Sequence, residues 1–237
     1  MKIALVTGAN RGIGFETSKI LAQNGFKVYM GCRDEAKGEL AVDILLKQKL
    51  NVVVVKLDVN KTKDIRGVHN LLRDNGEIPD VVVNNAGVFL ESDGPKDKEG
   101  SSIFSVDPVI ILKTIETNAM GPLKLAQALV PMMMEKNEGR VINISSGMGQ
   151  LNGMNGHWPG YRMSKTALNA FTRILSDEVS HTNLSINSVC PGWVQTDMGG
   201  KDANLTTAEA VKSIIWLATC DNPPKGQFIR DQKQIDW

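Results

Sequence analysis

The sequence predicts an α/β fold, a doubly wound Rossmann sheet of seven parallel strands flanked by helices on both faces. It predicts one domain, residues 1–237. Three observations carry this. Short β-branched runs alternate with longer segments of helical period. Most runs are continuously apolar, as in strands covered on both faces of a parallel sheet. The first run passes through a glycine turn straight into a helix.

The strand segments are Ile3–Val6, Lys27–Met30, Val52–Lys56, Val81–Val83, Val141–Ile144, Ser185–Val189 and Gln227–Ile229. The helical segments are Gly14–Gln23, Glu35–Lys47, Asp64–Asp74, Val109–Glu135, Tyr161–His181 and Thr206–Thr219. End signals agree: Asn24-Gly25 and Asn75-Gly76 close the first and third helices, while Asp34 and Thr206 are placed to cap the second and last. The segments Glu91–Gly100, Gly147–Gly160 and Gly199–Leu205 read as loops. Each follows a strand or its extension, at the carboxyl edge where open α/β sheets bind ligands. The Lys96-Asp97-Lys98-Glu99 run reads as solvated, and Met132-Met133-Met134 as core or dimer interface.

Lys and Arg number 27 against 26 Asp and Glu, a balance that argues against nucleic acid as a partner. No stretch has the length of an apolar membrane span. The apolar start Ile3–Val6 stops at Thr7-Gly8, too soon for a signal peptide, so cytoplasm is expected. Three separated cysteines, Cys32, Cys190 and Cys220, read as free thiols in a reducing compartment. His69, His157 and His181 are too scattered for a metal site.

The segment Thr7-Gly8-Ala9-Asn10-Arg11-Gly12-Ile13-Gly14 joins a strand to a helix N-terminus and makes an anion site. Its spacing is Gly-x3-Gly-x-Gly. Ile13 and Phe15 stand where a nucleotide P-loop needs Lys-Ser/Thr, which disfavours ATP and GTP. An NAD-binding fold places a carboxylate after the second strand; here Arg33 follows Cys32, and Arg11 lies in the loop. Two guanidiniums suit a 2′-phosphate, so NADP(H) is favoured over NAD. Two alternatives stand beside this: solvated arginines, or Asp34 as the missing acid rather than a helix cap.

Tyr161 and Lys165, at i and i+4, share one helix face. A nearby ammonium lowers a phenol pKa and suits it to acid–base work. Ser145-Ser146, just past the fifth strand, can hydrogen-bond a substrate oxygen.

In this order the chain resembles the short-chain dehydrogenase/reductase family, of the Gly-x3-Gly-x-Gly type. The shared features are Thr7–Gly14, Asp58-Val59, Asn84-Asn85-Ala86-Gly87, Asn118, Ser146, Tyr161 with Lys165, and Pro191-Gly192 leading to Thr196. The wording Cys190–Met198 and the ending Gly226-Gln227-Phe228 … Trp237 look like the carbonyl reductase group. The resemblance implies reduction of an aldehyde, ketone or quinone by hydride transfer. Tyr161 would be the general acid/base. Lys165 would anchor the ribose and lower the tyrosine pKa. Ser146 would orient the carbonyl, and Asn118 would hold a relay water. It also implies that Gly8, Asn10, Arg11, Gly12, Ile13 and Gly14 line the pyrophosphate and ribose, with Arg33 on the 2′-phosphate. Asp58 and Val59 would meet adenine, and Asn85, Ala86 and Gly87 the adenosine ribose. Pro191, Gly192, Val194 and Thr196 would meet the nicotinamide.

The Ser146–Tyr161 separation exceeds the family's usual spacing, which leaves Ser145 as an alternative to Ser146. The insertion that keeps better-known carbonyl reductases monomeric is missing, so a homodimer through the two long helices is open beside a monomer. His157 or Trp158 is a candidate substrate contact, with a packed loop as the plainer reading. A non-catalytic NADPH sensor or scaffold of the same fold is the rival function; a sugar epimerase is disfavoured by glycine spacing. Motifs fill Thr7 to Thr196, leaving no separate substrate domain. Met198–Leu205 is short for a lid, which predicts an open site with broad carbonyl specificity.

Overall fold

The structure is a computed structural model and describes residues 1–93 and 102–237. The Lys96-Asp97-Lys98-Glu99 run and most of the predicted loop Glu91–Gly100 lie outside the described residues. The chain order is β1 (Ile3–Thr7), α1 (Gly12–Gln23), β2 (Lys27–Cys32), α2 (Glu35–Leu46), β3 (Val52–Lys56), α3 (Thr62–Asp74) and β4 (Val81–Asn84). It continues with α4 (Pro108–Ile115), a π-helical turn (Glu116–Met120), α5 (Gly121–Lys136), β5 (Gly139–Ile144) and α6 (Pro159–Glu178). Last come β6 (Leu184–Val189), α7 (Thr207–Ala210), α8 (Lys212–Thr219), β7 (Phe228–Arg230) and β8 (Lys233–Ile235).

The sheet order is β3-β2-β1-β4-β5-β6-β7-β8. Pairing is parallel from β3 to β7, in the predicted doubly wound arrangement. The expectation of seven strands is corrected to eight, because β8 adds an antiparallel edge. Its hairpin turns on Asp231 and Gln232 at φ +50 and +60. Two positive-φ residues form the turn that matches strand twist, normally signalled by Asn-Gly; Asp-Gln carries no such signal.

Residues alternate across β1: Ala4 and Val6 face one core with α1, α2 and α8, while Ile3 and Leu5 face a second with α3 and α5. Met132 and Met133 belong to the second core. The Asp34 carboxylate accepts from Lys37 N, and Thr206 forms a reciprocal capping box with Glu209, as their positions predicted. The predicted helix Val109–Glu135 is interrupted by the π-helical turn, and the last helix by Val211, which is fully buried. Among the described residues no helix is long and apolar enough to cross a membrane.

Strand order reverses between β1 and β4, so the loops after these strands part there and open a crevice at the carboxyl edge. A buried hydrogen-bond chain ties this region to α6. Asn84 Nδ2 donates to Asn143 Oδ1 (2.7 Å), Asn143 Nδ2 to Thr172 Oγ1 (2.8 Å), and Thr172 and Ser188 share a hydroxyl contact (2.8 Å). Four elements, β4, β5, α6 and β6, thus meet through polar groups that have no water to fall back on. Asn143→Ala should destabilise the fold by about 1–3 kcal/mol, since it leaves the buried Asn84 amide without its partner, while Thr172 keeps Leu168 O and Ser188. Urea denaturation checks this; an unchanged midpoint would show that the chain does not hold α6 on the sheet.

Candidate active site

At the tip of β1 the backbone of Gly8 and Gly12 has φ +63 and +57, values that glycine adopts at little cost. Helix α1 begins at Gly12 with no side-chain cap and no acidic residue in its first turn. Its free N–H groups and positive end are the anion site predicted from the sequence. The loop is held from below. Asn85 Nδ2 donates to Thr7 O (2.8 Å) and Gly8 O (3.1 Å), and Thr7 Oγ1 accepts from Asn85 N and Ala86 N. A Cβ on Gly14 would lie 2.4 Å from both Asn85 Nδ2 and Gly8 O, so this staple needs glycine there.

The remaining expected cofactor residues divide. Gly87 lies inside the site: a Cβ on it would come within 3.2 Å of Asn118 Oδ1 and 3.8 Å of Lys165 Nζ. Asn85 spends its amide on the glycine loop. Val59 is buried against Gly121, so its side chain belongs to the core. The Asp58 carboxylate accepts from Asn60 N (3.1 Å). Asp34 serves as a helix cap and Arg33 is exposed, its carbonyl held by Lys56 Nζ (2.6 Å). Arg11 is ion-paired with Asp197, both side chains about 70% exposed (71% and 72%). Exposed pairs of this kind contribute roughly 0–1 kcal/mol, so a phosphate can displace Asp197. Thr196 packs on Gly12, with Cγ2 3.3 Å from a Cβ built there, while Val194 is buried and bridges Leu205. The segment after β6 therefore lies over the glycine loop.

Tyr161 and Lys165 stand on the first two turns of α6. Lys165 is buried, and its Nζ donates to Ile144 O (2.7 Å) at the end of β5. It lies 5.6 Å from the Tyr161 ring centroid. Ser146 is the serine whose side chain pulls the Tyr161 pKa downward, and its Oγ accepts from Met148 N (3.1 Å). Ser145 is buried and faces the α6 backbone at Lys165 O (3.5 Å), whereas Ser146 is only partly buried. A Cβ on Gly149 would strike the Lys165 backbone at 2.7 Å, and Thr166 Oγ1 donates to Gly149 O (3.0 Å). The loop after β5 is thus fastened directly to α6, which brings Ser146 to Tyr161. Asn118 sits in the π-helical turn; such an extra residue re-aims side chains, often at functional sites. Its Oδ1 accepts from Val88 N (2.8 Å), and its Nδ2 donates to Val88 O (2.9 Å) and Ser164 Oγ (3.0 Å). That leaves Oδ1 one lone pair for a water.

The influences on the two groups run in opposite directions. Burial pushes the phenol up to about 12, against a downward pull from Ser146. Burial also pushes Lys165 down to about 8. The two groups share one desolvated pocket, which penalises phenolate and ammonium alike. Tyr161 therefore rests as a neutral phenol.

Sequence reasoning missed Phe89, stacked on Tyr161 at 4.4 Å between centroids, and Glu91, whose carboxylate accepts from Gly160 N (3.0 Å) and Tyr161 N (2.7 Å). Trp158 packs edge-on against Phe89 at 6.2 Å, whereas His157 is exposed. A groove lined by Met1, Ile3, Gly76 and Lys136 lies at the opposite, amino edge of the sheet, away from all these groups.

The folded pKa of Lys165 lies below its unfolded value of 10.5, so between about pH 8 and 10.5 the unfolded chain holds more protons and stability rises with pH. Tyr161 acts in the opposite sense above pH 10, where the folded state keeps a proton that the unfolded chain loses. Lys165→Met removes the first contribution. The unfolding free energy of wild type minus variant should rise by roughly 1 kcal/mol per pH unit between about pH 8 and 10, read by urea denaturation. A difference that stays flat with pH would mean that the ammonium is held at no cost.

A family model described as "short chain dehydrogenase" matches residues 2–205. A (+)-neomenthol dehydrogenase from Arabidopsis thaliana is 28% identical, with 99% of this chain and 97% of that protein covered. Carbonyl reductase [NADPH] 1 from Bos taurus is 29% identical, with 99% and 98% covered. The NADPH-bound carbonyl reductase from chicken fatty liver superposes with a TM-score of 0.86 at 27% identity, over 100% of both chains. The alignments with the first two run over 290 and 282 positions against 237 residues here, so each relative carries residues that this chain lacks. The Gly-x3-Gly-x-Gly turn, the Ser146, Tyr161 and Lys165 cluster and the strand order all sit within this likeness, and the chain belongs to the short chain dehydrogenase family.

Proposed function

We propose that the chain is an NADP(H)-dependent oxidoreductase that reduces a small-molecule carbonyl to an alcohol. The observation that carries this reading is the Tyr161 phenol at the carboxyl edge of the sheet with the buried Lys165 ammonium 5.6 Å from its ring centroid, held there by Ile144 O. The residues present fit the cofactor. The uncapped start of α1 offers N–H groups to a pyrophosphate, and Arg11 and Arg33 offer guanidiniums to a 2′-phosphate. Gly87, Asn118 and Lys165 converge where a ribose would be held.

Bound NADPH would supply hydride to the carbonyl carbon. Ser146 Oγ accepts from Met148 N (3.1 Å), which leaves its own hydrogen for the substrate oxygen. Tyr161 gives its proton to that oxygen as negative charge develops there. The phenolate left behind is stabilised by the Lys165 ammonium, whose attraction is strong in a site without water. At neutral pH the phenol carries the proton that a reduction requires, and the developing charge on the substrate oxygen draws it across. Asn118 accepts a water on its remaining lone pair, which resupplies the proton through Lys165.

Substrate choice rests on the segments Val88–Pro108, of which 94–101 lie outside the described residues, Gly147–Gly160 and Met198–Leu205, with Phe89 and Trp158 as apolar walls beside Tyr161. The relatives support carbonyls as the substrate class. Exposed Val109, Leu112, Met163 and Ile174 on α4 and α6 support a homodimer through these helices over a monomer.

Two measurements test the reading. NADPH oxidation against a panel of aldehydes, ketones and quinones should show turnover. Tyr161→Phe should abolish it while NADPH fluorescence titration gives the wild-type Kd. Binding without oxidation of any compound would favour the non-catalytic sensor, and an active Tyr161→Phe would sink the mechanism. Arg33→Ala should weaken NADPH roughly tenfold to a hundredfold, since a charge-assisted hydrogen bond contributes about 1.5–3 kcal/mol, and should leave NADH unaffected. Equal losses for both cofactors would remove the 2′-phosphate from Arg33.

A further inference from the structure

Helix α6 starts badly by local standards. Its N-cap residue Trp158 has left-handed backbone (φ +52, ψ +51) and gives no side-chain cap. Pro159 has no N–H to offer. The first free donors are Gly160 N and Tyr161 N, and Glu91 takes both, one on each carboxylate oxygen (3.0 and 2.7 Å). These partners lie 69 and 70 residues apart in the chain. Glu91 is only 9% exposed, and among the described residues no basic side chain is paired with it. Its two oxygens are met by two N–H groups at the positive end of the helix. Gly160 makes the approach possible: a Cβ there would lie 3.1 Å from Ile111 Cα and 3.2 Å from Glu91 Oε2.

The same short stretch of chain touches Tyr161 twice. Phe89 stacks on its ring at 4.4 Å with 27° between planes, while Glu91 holds its backbone N–H. One residue before Phe89, Val88 is gripped by Asn118 through both its N–H and its carbonyl. We infer that Glu91 is a positioning residue for Tyr161: with Phe89 it makes Val88–Glu91 a strap from Asn118 to the acid, setting the phenol against Ser146. This deepens the proposed reaction and rests on Tyr161 being its acid.

Proton transfer is steep in distance, so a small misplacement of the phenol is costly. Glu91→Gln keeps the size but only one acceptor, and turns an N–H donor towards a second N–H. Glu91→Asp keeps the charge on a shorter arm. The chain has two tyrosines, Tyr29 and Tyr161, so 13C-tyrosine labelling yields two Cζ signals, assigned with Tyr161→Phe. Tyr29 is buried beside Glu77, outside the strap, and is the internal control. In Glu91→Gln the Tyr161 signal should shift or broaden while that of Tyr29 stays. Carbonyl kcat should fall about tenfold or more, with KM and the NADPH Kd within about twofold. Glu91→Asp should recover part of both effects.

The inference is overturned if Glu91→Gln keeps the wild-type Tyr161 signal and kcat. It is overturned as well if the Tyr29 and Tyr161 signals move together in both variants, which marks a general structural role. A wild-type protein with no carbonyl turnover, whose Tyr161 signal still answers to Glu91→Gln alone, would sink the proposed reaction and support the positioning.

Discussion

The seat of α6 on the end of β5 is the constraint on which the site depends. Lys165 brings an ammonium into a buried pocket, where its compensation is the carbonyl of Ile144 at 2.7 Å. Burying a charge this way is unfavourable unless the partners are rigid. The surrounding structure supplies that rigidity. Gly149 lets the loop after β5 lie directly on the α6 backbone. The Asn84, Asn143, Thr172 and Ser188 chain fixes the middle of the helix to three strands. Glu91 fixes its first turn. The same seat delivers Tyr161 to Ser146, so the cost of burial and the alignment of the acid come from one packing solution.

The cofactor side follows a different logic. Here little is buried and the charges face solvent. The glycine loop is shaped by absences: no Cβ at Gly8, Gly12 or Gly14, and no cap on α1. Its position is set by Asn85, just past β4, which ties the ends of the two strands flanking the crevice. Positive charge appears locally, at Arg11, Arg33 and the helix end, in a chain whose formal net charge is +1. Arg11 is engaged by Asp197 in an exposed pair that is weak enough to yield to a stronger anion.

Much of this was legible in the sequence because it rests on local patterns. Continuous apolar runs marked the parallel strands, and glycine spacing marked the loop after β1. The i, i+4 separation put Tyr161 and Lys165 on one face. What escaped depends on long-range geometry. The hairpin to β8 uses Asp231 and Gln232 without the usual turn residues, and β8 is three residues long. The π-helical turn around Asn118 inserts one residue into an otherwise uniform helical pattern, which periodicity cannot register. Glu91 lies in a polar stretch that reads as solvated loop, and only the fold brings it to α6. Asn85 and Val59 show the converse. The resemblance implies that they border a ligand, and what the sequence could not show is that their side chains are also engaged by the loop and the core.

The opposed pKa shifts of Tyr161 and Lys165 carry the argument furthest. In water an ammonium beside a phenol would ease its ionisation. Here desolvation is the largest influence on both, so the phenol rises to about 12 and the amine falls to about 8. The resting pair is a neutral acid beside a cation held at a cost. Transfer of the phenolic proton to a substrate oxygen creates the anion that this cation lacks, so the attraction is realised as the proton leaves. That is stabilisation reserved for the reacting state, and only such stabilisation accelerates a chemical step. The same desolvation that makes Tyr161 a poor base at rest makes Lys165 a strong electrostatic partner at the moment of transfer.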